Sequence, residues 1–229
     1  MTEAVMGEEA KPTGEVYLVR HGETSLNKEG KLRGWENPPL NAEGKQNAED
    51  IAHILSGVEL DVMYVSDFKR AQQTADAIGE SQDAKRIDTP NLRPINFGKW
   101  NGKPLTEVDK KMEDLAGVWK SNPSQKAPGG ESWSDFQRRQ ILVWDSVMKD
   151  AKDGKKVIIV AHLRNCIWGQ AYVLNGCMPL SGDSLDLCNY VTQQIGRVSL
   201  IDVGKDKCQI IAVNCKDVED PGMQPNPKS

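Results

Sequence analysis

Two apolar runs, each followed directly by a histidine, decide the fold of this chain: Val16-Tyr17-Leu18-Val19-Arg20-His21 and Val157-Ile158-Ile159-Val160-Ala161-His162. Short, continuous apolar runs are typical of strands buried in a parallel sheet. In an open α/β sheet, ligands bind beyond the carboxyl ends of such strands. The chain has only three histidines. Two of them at strand ends therefore predict a ligand site built around His21 and His162.

The segments outside these two runs alternate between strand and helix patterns. Asn41 is expected to cap a helix whose apolar stripe runs to Leu55, and Ser66 or Asp67 to cap another that reaches about Ile78. The other expected strands are residues 61–66, 85–88 and 155–161, and the chain is expected to close with a hairpin of two strands, 197–203 and 208–213. The other expected helices lie near 105–119 and 164–174, with a long helix between them that follows residues 129–132 and ends at about 150. This alternation predicts an α/β fold, a three-layer α/β/α sandwich with a mostly parallel central sheet.

Length and composition limit the classes of protein that need consideration. The 229 residues predict a single domain at 15–216, with a small cap insertion at about 90–128, a flexible arm at 1–14 and a disordered tail at 217–229. A net charge of −4 argues against a nucleic-acid or anionic-membrane partner, and no apolar run approaches a membrane span of about 20 residues. Five scattered cysteines and no secretory signal predict a cytoplasmic location with reduced thiols. The oligomeric state stays open.

Five segments, in order, resemble the histidine phosphatase superfamily, which includes the cofactor-dependent phosphoglycerate mutases. The first is Arg20-His21-Gly22-Glu23, which Asn27 follows at a distance of six residues from His21. The others are PLNAEG at 39–44, SDFKRAQQTA at 66–75, FGKWNG at 97–102 and PGGES at 128–132. With the second strand and its histidine, the similarity covers residues 16–167, about two thirds of the chain.

The resemblance implies a phosphoglycerate mutase-like fold and a site for phosphoryl chemistry. It implies that His21 takes up the phosphoryl group as a phosphohistidine and that water hydrolyses it, without a cofactor. The phosphate-binding residues would be Arg20, Asn27, Arg70 and His162, with the backbone N–H of Leu163, and the catalytic set would include His21, His162, Arg20 and Arg70. The residue types suit these roles, because guanidinium groups bind phosphate through charge-assisted forks and Arg70 lies in the first turn of a predicted helix.

Two positions depart from the superfamily pattern. Leu163 stands where glycine usually follows the second histidine, and Pro94 stands where most members carry the glutamate that protonates the leaving group. General acid help is typically worth about 10²–10⁴ in rate. Another carboxylate could replace it, with Glu107 the leading candidate and Glu131 and Asp135 weaker ones. Alternatively, the leaving group needs no acid, as in phosphoramidates, acyl phosphates or anhydrides, or the protein binds a phosphate ligand with little turnover.

The sequence thus predicts a metal-independent phosphatase whose partner is a small phosphorylated substrate. Two alternatives stay open: a phosphoglycerate mutase-type phosphotransferase, which would move phosphate between substrate hydroxyls, and a catalytically weak phosphate-ligand-binding protein. The chain has no GxxxxGK[ST] loop, no GxGxxG after a strand and no histidine–cysteine cluster with metal-ligand spacing. Specificity is expected to depend on the cap, where no motif identifies the substrate.

Overall fold

The computed structural model describes residues 13–204 and 207–216. The predicted disordered tail lies outside these residues, as does most of the predicted arm. The first strand begins at Gly14, the last residue of the expected arm. A Cβ at Gly14 would lie 1.9 Å from the carbonyl oxygen of Ala151, which belongs to the helix Trp133–Lys152. Only glycine therefore lets the strand begin so close to the backbone of this helix.

Six strands form one central sheet. They are β1 (Gly14–Arg20), β2 (Val62–Ser66), β3 (Lys85–Thr89), β4 (Lys156–Ala161), β5 (Val198–Val203) and β6 (Cys208–Cys215), in the order β3-β2-β4-β1-β5-β6. Strands β1 to β4 pair in parallel, whereas β5 is antiparallel to β1 and β6 is antiparallel to β5. The mostly parallel sheet and the closing hairpin are confirmed.

The described residues contain six α-helices. They are α1 (Ser25–Lys28), α2 (Ala42–Ile54), α3 (Lys69–Gly79), α4 (Leu105–Trp119), α5 (Trp133–Lys152) and α6 (Leu163–Leu174). Alternate residues of β1 point to opposite faces. Val16 and Leu18 pack in the cluster formed by α4, α5 and α6, while Tyr17 and Val19 pack in the cluster formed by α2 and α3. The α/β/α sandwich is therefore confirmed.

Side-chain caps account for three of the α-helix starts in the described residues, and at α1 the Thr24 side chain accepts from the Asn27 N–H. The Asn41 side chain accepts a hydrogen bond from the Gly44 N–H (2.8 Å) at the start of α2, and Ser132 caps α5, as predicted. The predicted cap of α3 is wrong. That helix begins at Lys69 after Phe68, which makes no side-chain cap bond. Ser66 is still the last residue of β2, and its hydroxyl contacts a histidine instead.

The segment between β3 and α5 lies over one end of the sheet. It contains two 3₁₀ turns, Pro90–Leu92 and Gly98–Trp100, and α4, whose bounds match the prediction. Two short elements were not predicted, α1 and the 3₁₀ helix Gly182–Asn189, because neither carries an apolar period long enough to read. No helix within the described ranges is both long and apolar enough to cross a membrane.

Candidate active site

Parallel pairing of β1 with β4 brings the two strand-end histidines together. Arg20 is in register with Ala161, so His21 and His162 leave the sheet side by side, with ring centroids 5.1 Å apart. Both are almost wholly buried, with 2% and 3% of their surface exposed. The third histidine, His53, is an exposed residue of α2. The two strand ends thus form one site, as the rule for open α/β sheets predicts.

A glycine directly after His21 is a steric requirement. A Cβ at Gly22 would lie 2.2 Å from the carbonyl oxygen of Gly44, because the loop passes directly against the first turn of α2. The Gly22 N–H donates to the Thr74 hydroxyl (3.1 Å), which in turn donates to the Arg70 carbonyl (2.8 Å). The loop that carries His21 is therefore held against both α2 and α3.

The hydrogen bonds of His21 define its tautomer. Its Nδ1 lies 2.7 Å from the Gly22 carbonyl oxygen, which can only accept, so Nδ1 carries the proton. Its Nε2 accepts from the Nε–H of Arg70 at 3.2 Å. Burial lowers the pKa of His21 well below its usual value, and the charges of Arg70 and Arg20 lower it further. His21 is therefore a neutral imidazole at physiological pH, with its lone pair on Nε2.

Arg70 is buried beside His21, with 1% of its surface exposed. Its other nitrogens donate to the backbone carbonyls of Glu36 (2.7 Å) and Gly34 (3.2 Å), which fix the guanidinium plane. Among the described residues, no carboxylate pairs with it. Burial and the charge of Arg33 lower the pKa of Arg70 to about 9, so it remains a cation at neutral pH and an anion would neutralise it.

His162 is held by a hydrogen bond from one side only. Its Nε2 lies 2.9 Å from the Ser66 hydroxyl, while its Nδ1 is buried and has no hydrogen-bond partner among the described residues. Because Ser66 already accepts from the Phe68 N–H (3.5 Å), its own proton can go to His162 Nε2. In the tautomer in which Ser66 donates to Nε2, His162 Nδ1 carries the hydrogen and is a buried donor without an acceptor among the described residues. Burial lowers the pKa of His162, so this imidazole too is neutral.

Three further predicted phosphate ligands differ in how the structure places them. Arg20 donates to the Gln193 carbonyl (3.2 Å), and burial together with the charge of Arg33 lowers the pKa of Arg20 to about 10. Leu163 begins α6 and lines the cavity beside the histidines; it has no positive φ, so no glycine is needed there. Asn27 accepts two hydrogen bonds from Thr24 on its side-chain oxygen, which leaves only its amide nitrogen to donate to phosphate.

None of the three candidate acids lies in the cavity. Glu107 is exposed and pairs with Lys103, whose hydrogen bond lowers the pKa of that carboxyl. Glu131 forms a two-pronged ion pair with Arg139, and the Asp135 carboxylate accepts a hydrogen bond from the hydroxyl of Ser132, the N-cap of α5. A general acid must come within hydrogen-bond reach of the leaving group. The geometry therefore gives the predicted acid role of Glu107 no support.

The two histidines line a cavity of about 200 Å³ whose lining holds three arginines and no carboxylate. The polar residues of the lining include His21, His162 and Arg70, and the apolar residues of the lining are together called the apolar wall. Sequence reasoning missed the two other arginines, Arg33 and Arg164. The apolar wall comprises Leu32, Pro94, Ile95, Phe97, Leu105, Met112 and Leu163.

Pro94, the residue that replaces the usual acid, lies in this wall, on a loop held by its backbone. Arg139 donates to the carbonyls of Asn91 (2.6 Å), Arg93 and Pro94 (2.9 Å). The Pro94 carbonyl also accepts from the indole N–H of Trp35 at 2.9 Å. The loop conformation thus rests on carbonyl contacts that do not depend on the side chain at position 94.

Comparison with known proteins agrees with this geometry. Residues 16–216 match the family described as the histidine phosphatase superfamily, branch 1. Phosphoserine phosphatase 1 of Hydrogenobacter thermophilus is 32% identical over 149 residues, 65% of this chain and 70% of that protein. A 2,3-bisphosphoglycerate-dependent phosphoglycerate mutase of Beijerinckia indica is 29% identical over 179 residues, 75% of this chain and 86% of that protein.

Among solved structures, a mycobacterial glucosyl-3-phosphoglycerate phosphatase in complex with VO3 superposes with a TM-score of 0.71. It is 21% identical, and the match covers 88% of this chain and 99% of the other, which shows a shared fold. The chain belongs to the histidine phosphatase superfamily, whose members here include phosphatases and mutases.

Within residues 13–204 and 207–216, no group of three or more His, Cys, Asp or Glu side chains is arranged to hold a metal ion.

Proposed function

We propose that the protein is a phosphatase that hydrolyses a small phosphorylated substrate through a phosphohistidine on His21, without a metal ion. The observation that carries the proposal is the orientation of His21. Its Nδ1 hydrogen is bound to the Gly22 carbonyl, and its Nε2 lone pair lies beside the buried Arg70 cation. A neutral imidazole with its lone pair on Nε2 is the form that attacks phosphorus, and the hydrogen bond from the Arg70 Nε–H to this nitrogen has to open when the phosphoryl group binds.

In the first step, His21 Nε2 forms a bond to phosphorus while the bond from phosphorus to the leaving group breaks, and the leaving group keeps the electron pair. Arg20 and Arg70 supply two positive charges for the phosphoryl oxygens. His162 Nδ1 supplies a hydrogen-bond donor that needs no reorganisation, because Ser66 already holds the ring. Preorganised donors of this kind stabilise the charge that develops in the transition state.

In the second step, water attacks phosphorus and the N–P bond breaks, which releases inorganic phosphate and restores the imidazole. The same cations and the same His162 donor stabilise this transition state. A cavity of about 200 Å³ favours small substrates.

The missing general acid restricts the leaving group. The cavity lining contains no carboxylate, and Pro94 cannot transfer a proton. Substrates that depart as stable anions, such as aryl phosphates, acyl phosphates or anhydrides, therefore suit the site better than alkyl phosphates. The apolar wall of the cavity also favours a leaving group with an apolar body.

The test is hydrolysis of 4-nitrophenyl phosphate in the presence of a chelator by the natural protein, by His21→Ala and by His53→Ala. His53 is the matched control, because it is an exposed histidine far from the cavity lining. We expect the natural protein and His53→Ala to hydrolyse the ester and vanadate to inhibit both. His21→Ala should not hydrolyse it. Intact-mass spectrometry after rapid alkaline quenching should find one added phosphoryl group.

Retained turnover by folded His21→Ala would refute the phosphohistidine route. Phosphoryl transfer to an added glycerate phosphate, with little phosphate released to water, would identify a mutase instead. Vanadate binding with no turnover of aryl or alkyl esters would identify a phosphate-ligand-binding protein.

A further inference from the structure

Two arginines in the cavity have no side-chain partner among the described residues. Neither Arg33 nor Arg164 makes a side-chain hydrogen bond or ion pair with any described residue, although both line the cavity that holds His21 and His162. Arg33 is half-buried and Arg164 is exposed, so their donors are open to solvent as well as to the cavity. Each guanidinium offers five donors in a planar fork that matches a carboxylate or a phosphate. Such groups point to an anion that binds there.

The phosphoryl group alone does not account for these charges. A phosphate monoester carries about two negative charges at neutral pH, and in the proposed function these are balanced by Arg70, which lines the cavity, and by Arg20, which lies next to His21 but outside the lining. Both histidines are neutral, because burial keeps each pKa low. Arg33 and Arg164 are therefore surplus to the phosphoryl site, in a lining without a carboxylate.

Backbone hydrogen bonds fix the loop that carries Arg33. Its neighbour Leu32 exchanges hydrogen bonds with the cap, donating to the Lys103 carbonyl (2.8 Å) and accepting from the Gly102 N–H (2.7 Å). The Arg33 carbonyl accepts from the Glu36 N–H at 2.8 Å. The next carbonyl, that of Gly34, binds Arg70. Arg33 is thus fixed one residue from the anchor of the catalytic arginine.

Arg164 stands at a boundary between two cavities. It lies in the first turn of α6, two residues after His162, and also lines a second cavity of about 290 Å³ between α4 and the 3₁₀ helix Gly182–Asn189. Trp119 and Trp133 form the apolar part of that cavity. Its lysine, Lys120, already pairs with Asp186 at 2.6 Å, which leaves Arg164 as the cation there without a described partner.

We propose that the substrate carries a second anionic group, a carboxylate or a second phosphate, which Arg33 and Arg164 bind beside the phosphoryl site. The proposal rests on the proposed function for the identity of the phosphoryl site. It makes Arg33 and Arg164 the residues that determine specificity, and it places the part of the substrate beyond the second anion towards the 290 Å³ cavity.

Binding of phosphonates tests this proposal independently of turnover, because the C–P bond is not hydrolysed. The probes are 3- and 4-carboxybenzylphosphonate, their neutral carbamoyl counterparts of nearly equal shape, and the two xylylene diphosphonates of the same substitution. Calorimetry compares the natural protein with Arg33→Gln, Arg164→Gln and the double variant. Arg138→Gln is the matched control, since Arg138 lies on an exposed face of α5 and pairs with Asp135.

We expect one carboxyl isomer, or the corresponding diphosphonate, to bind the natural protein at least about tenfold more tightly than the carbamoyl analogue. That preference should shrink in each single variant, vanish in the double variant and persist in Arg138→Gln. A preference for the carboxyl isomer over the diphosphonate would identify the second group as a carboxylate, and the reverse would identify a phosphate.

Equal binding of the charged and neutral probes by the natural protein would overturn the proposal. So would equal weakening of both probes in Arg33→Gln and Arg164→Gln, because the two arginines would then belong to the phosphoryl site. A charge preference without aryl phosphate hydrolysis would leave the second anion site standing and reject the phosphatase.

Discussion

Replacing Ser66 by alanine should separate catalysis from stability in this site. Ser66 is fully buried, and its hydroxyl lies 2.9 Å from His162 Nε2. Without it, the ring nitrogen has no partner there, and the tautomer that presents Nδ1–H to the substrate loses its preference. Ser66 touches no substrate atom in this scheme; it positions His162.

The size of the effect follows from the kind of bond that is lost. A buried donor or acceptor left unsatisfied costs about 1–3 kcal/mol of stability. Complete removal of an oxyanion donor costs about 10²–10³ in rate. In Ser66→Ala, His162 is still present, but its ring is less fixed and the tautomer with the hydrogen on Nδ1 is less strongly preferred. We therefore expect about a tenfold loss of kcat/KM, which is about 1.4 kcal/mol of transition-state stabilisation. His162→Ala should lose about 10²–10³.

The assay needs a serine whose loss costs similar stability outside the site. Ser132 is that control, because it is also buried and caps α5 through a bond from the Asp135 N–H (3.1 Å). Losing an N-cap costs about 0.5–2 kcal/mol. Urea unfolding should therefore find both variants destabilised, while 4-nitrophenyl phosphate turnover falls only in Ser66→Ala. Full turnover by Ser66→Ala at a comparable loss of stability would refute the assigned role of the hydroxyl.

Three other perturbations have distinct expected outcomes. The free energy of unfolding should fall as the pH drops below about 6.5, because His21 and His162 resist protonation in the folded state, whereas the same histidines take up protons in the unfolded chain. Urea unfolding at a series of pH values should find that this free energy changes by up to about 2.7 kcal/mol per pH unit, and by about half of that in His21→Ala. Glu107→Gln should leave kcat/KM for an alkyl phosphate within about twofold, because the carboxylate is exposed and paired with a lysine; a tenfold loss confined to alkyl esters would restore its acid role. Gly22→Ala should lose about 1–3 kcal/mol of stability from the clash of its Cβ with α2, and Gly57→Ala, where nothing lies within 4 Å of the added carbon, should lose far less; equal losses would contradict the steric argument.

Strands and long helices could be predicted because their signals are local. Continuous apolar runs mark β1 and β4, and an apolar stripe marks α5. The site followed from the strand-end rule: in a mostly parallel sheet, His21 and His162 were expected at the carboxyl edge. The direct pairing of β1 with β4, which puts them side by side, is seen only in the structure. Asn41 and Ser132 were predictable caps, because each side chain needs only the backbone of the next turn.

The rest depends on contacts between residues distant in sequence. Ser66 was interpreted as a helix cap, although as the end of β2, beside β4, it could have been placed near His162 by the same strand-end rule. Arg33 carries no pattern of its own, and only the backbone pairing of its loop with the cap takes it into the cavity. Glu107 followed from its position in the cap segment, but α4 turns that side chain to solvent. The local sequence does not indicate whether a given residue of a helix points into the cavity or to solvent, because other segments of the chain form the rest of the cavity.

The contacts of Arg139 have an evolutionary consequence. They hold the loop at Asn91, Arg93 and Pro94 by main-chain carbonyl groups, which every amino acid possesses. A mutation at position 94 can therefore exchange a proton donor for an inert ring without dismantling the loop, and a later mutation can reverse the exchange. Changes in a single codon can therefore alter which leaving groups the site accepts, while the structure around His21 stays the same.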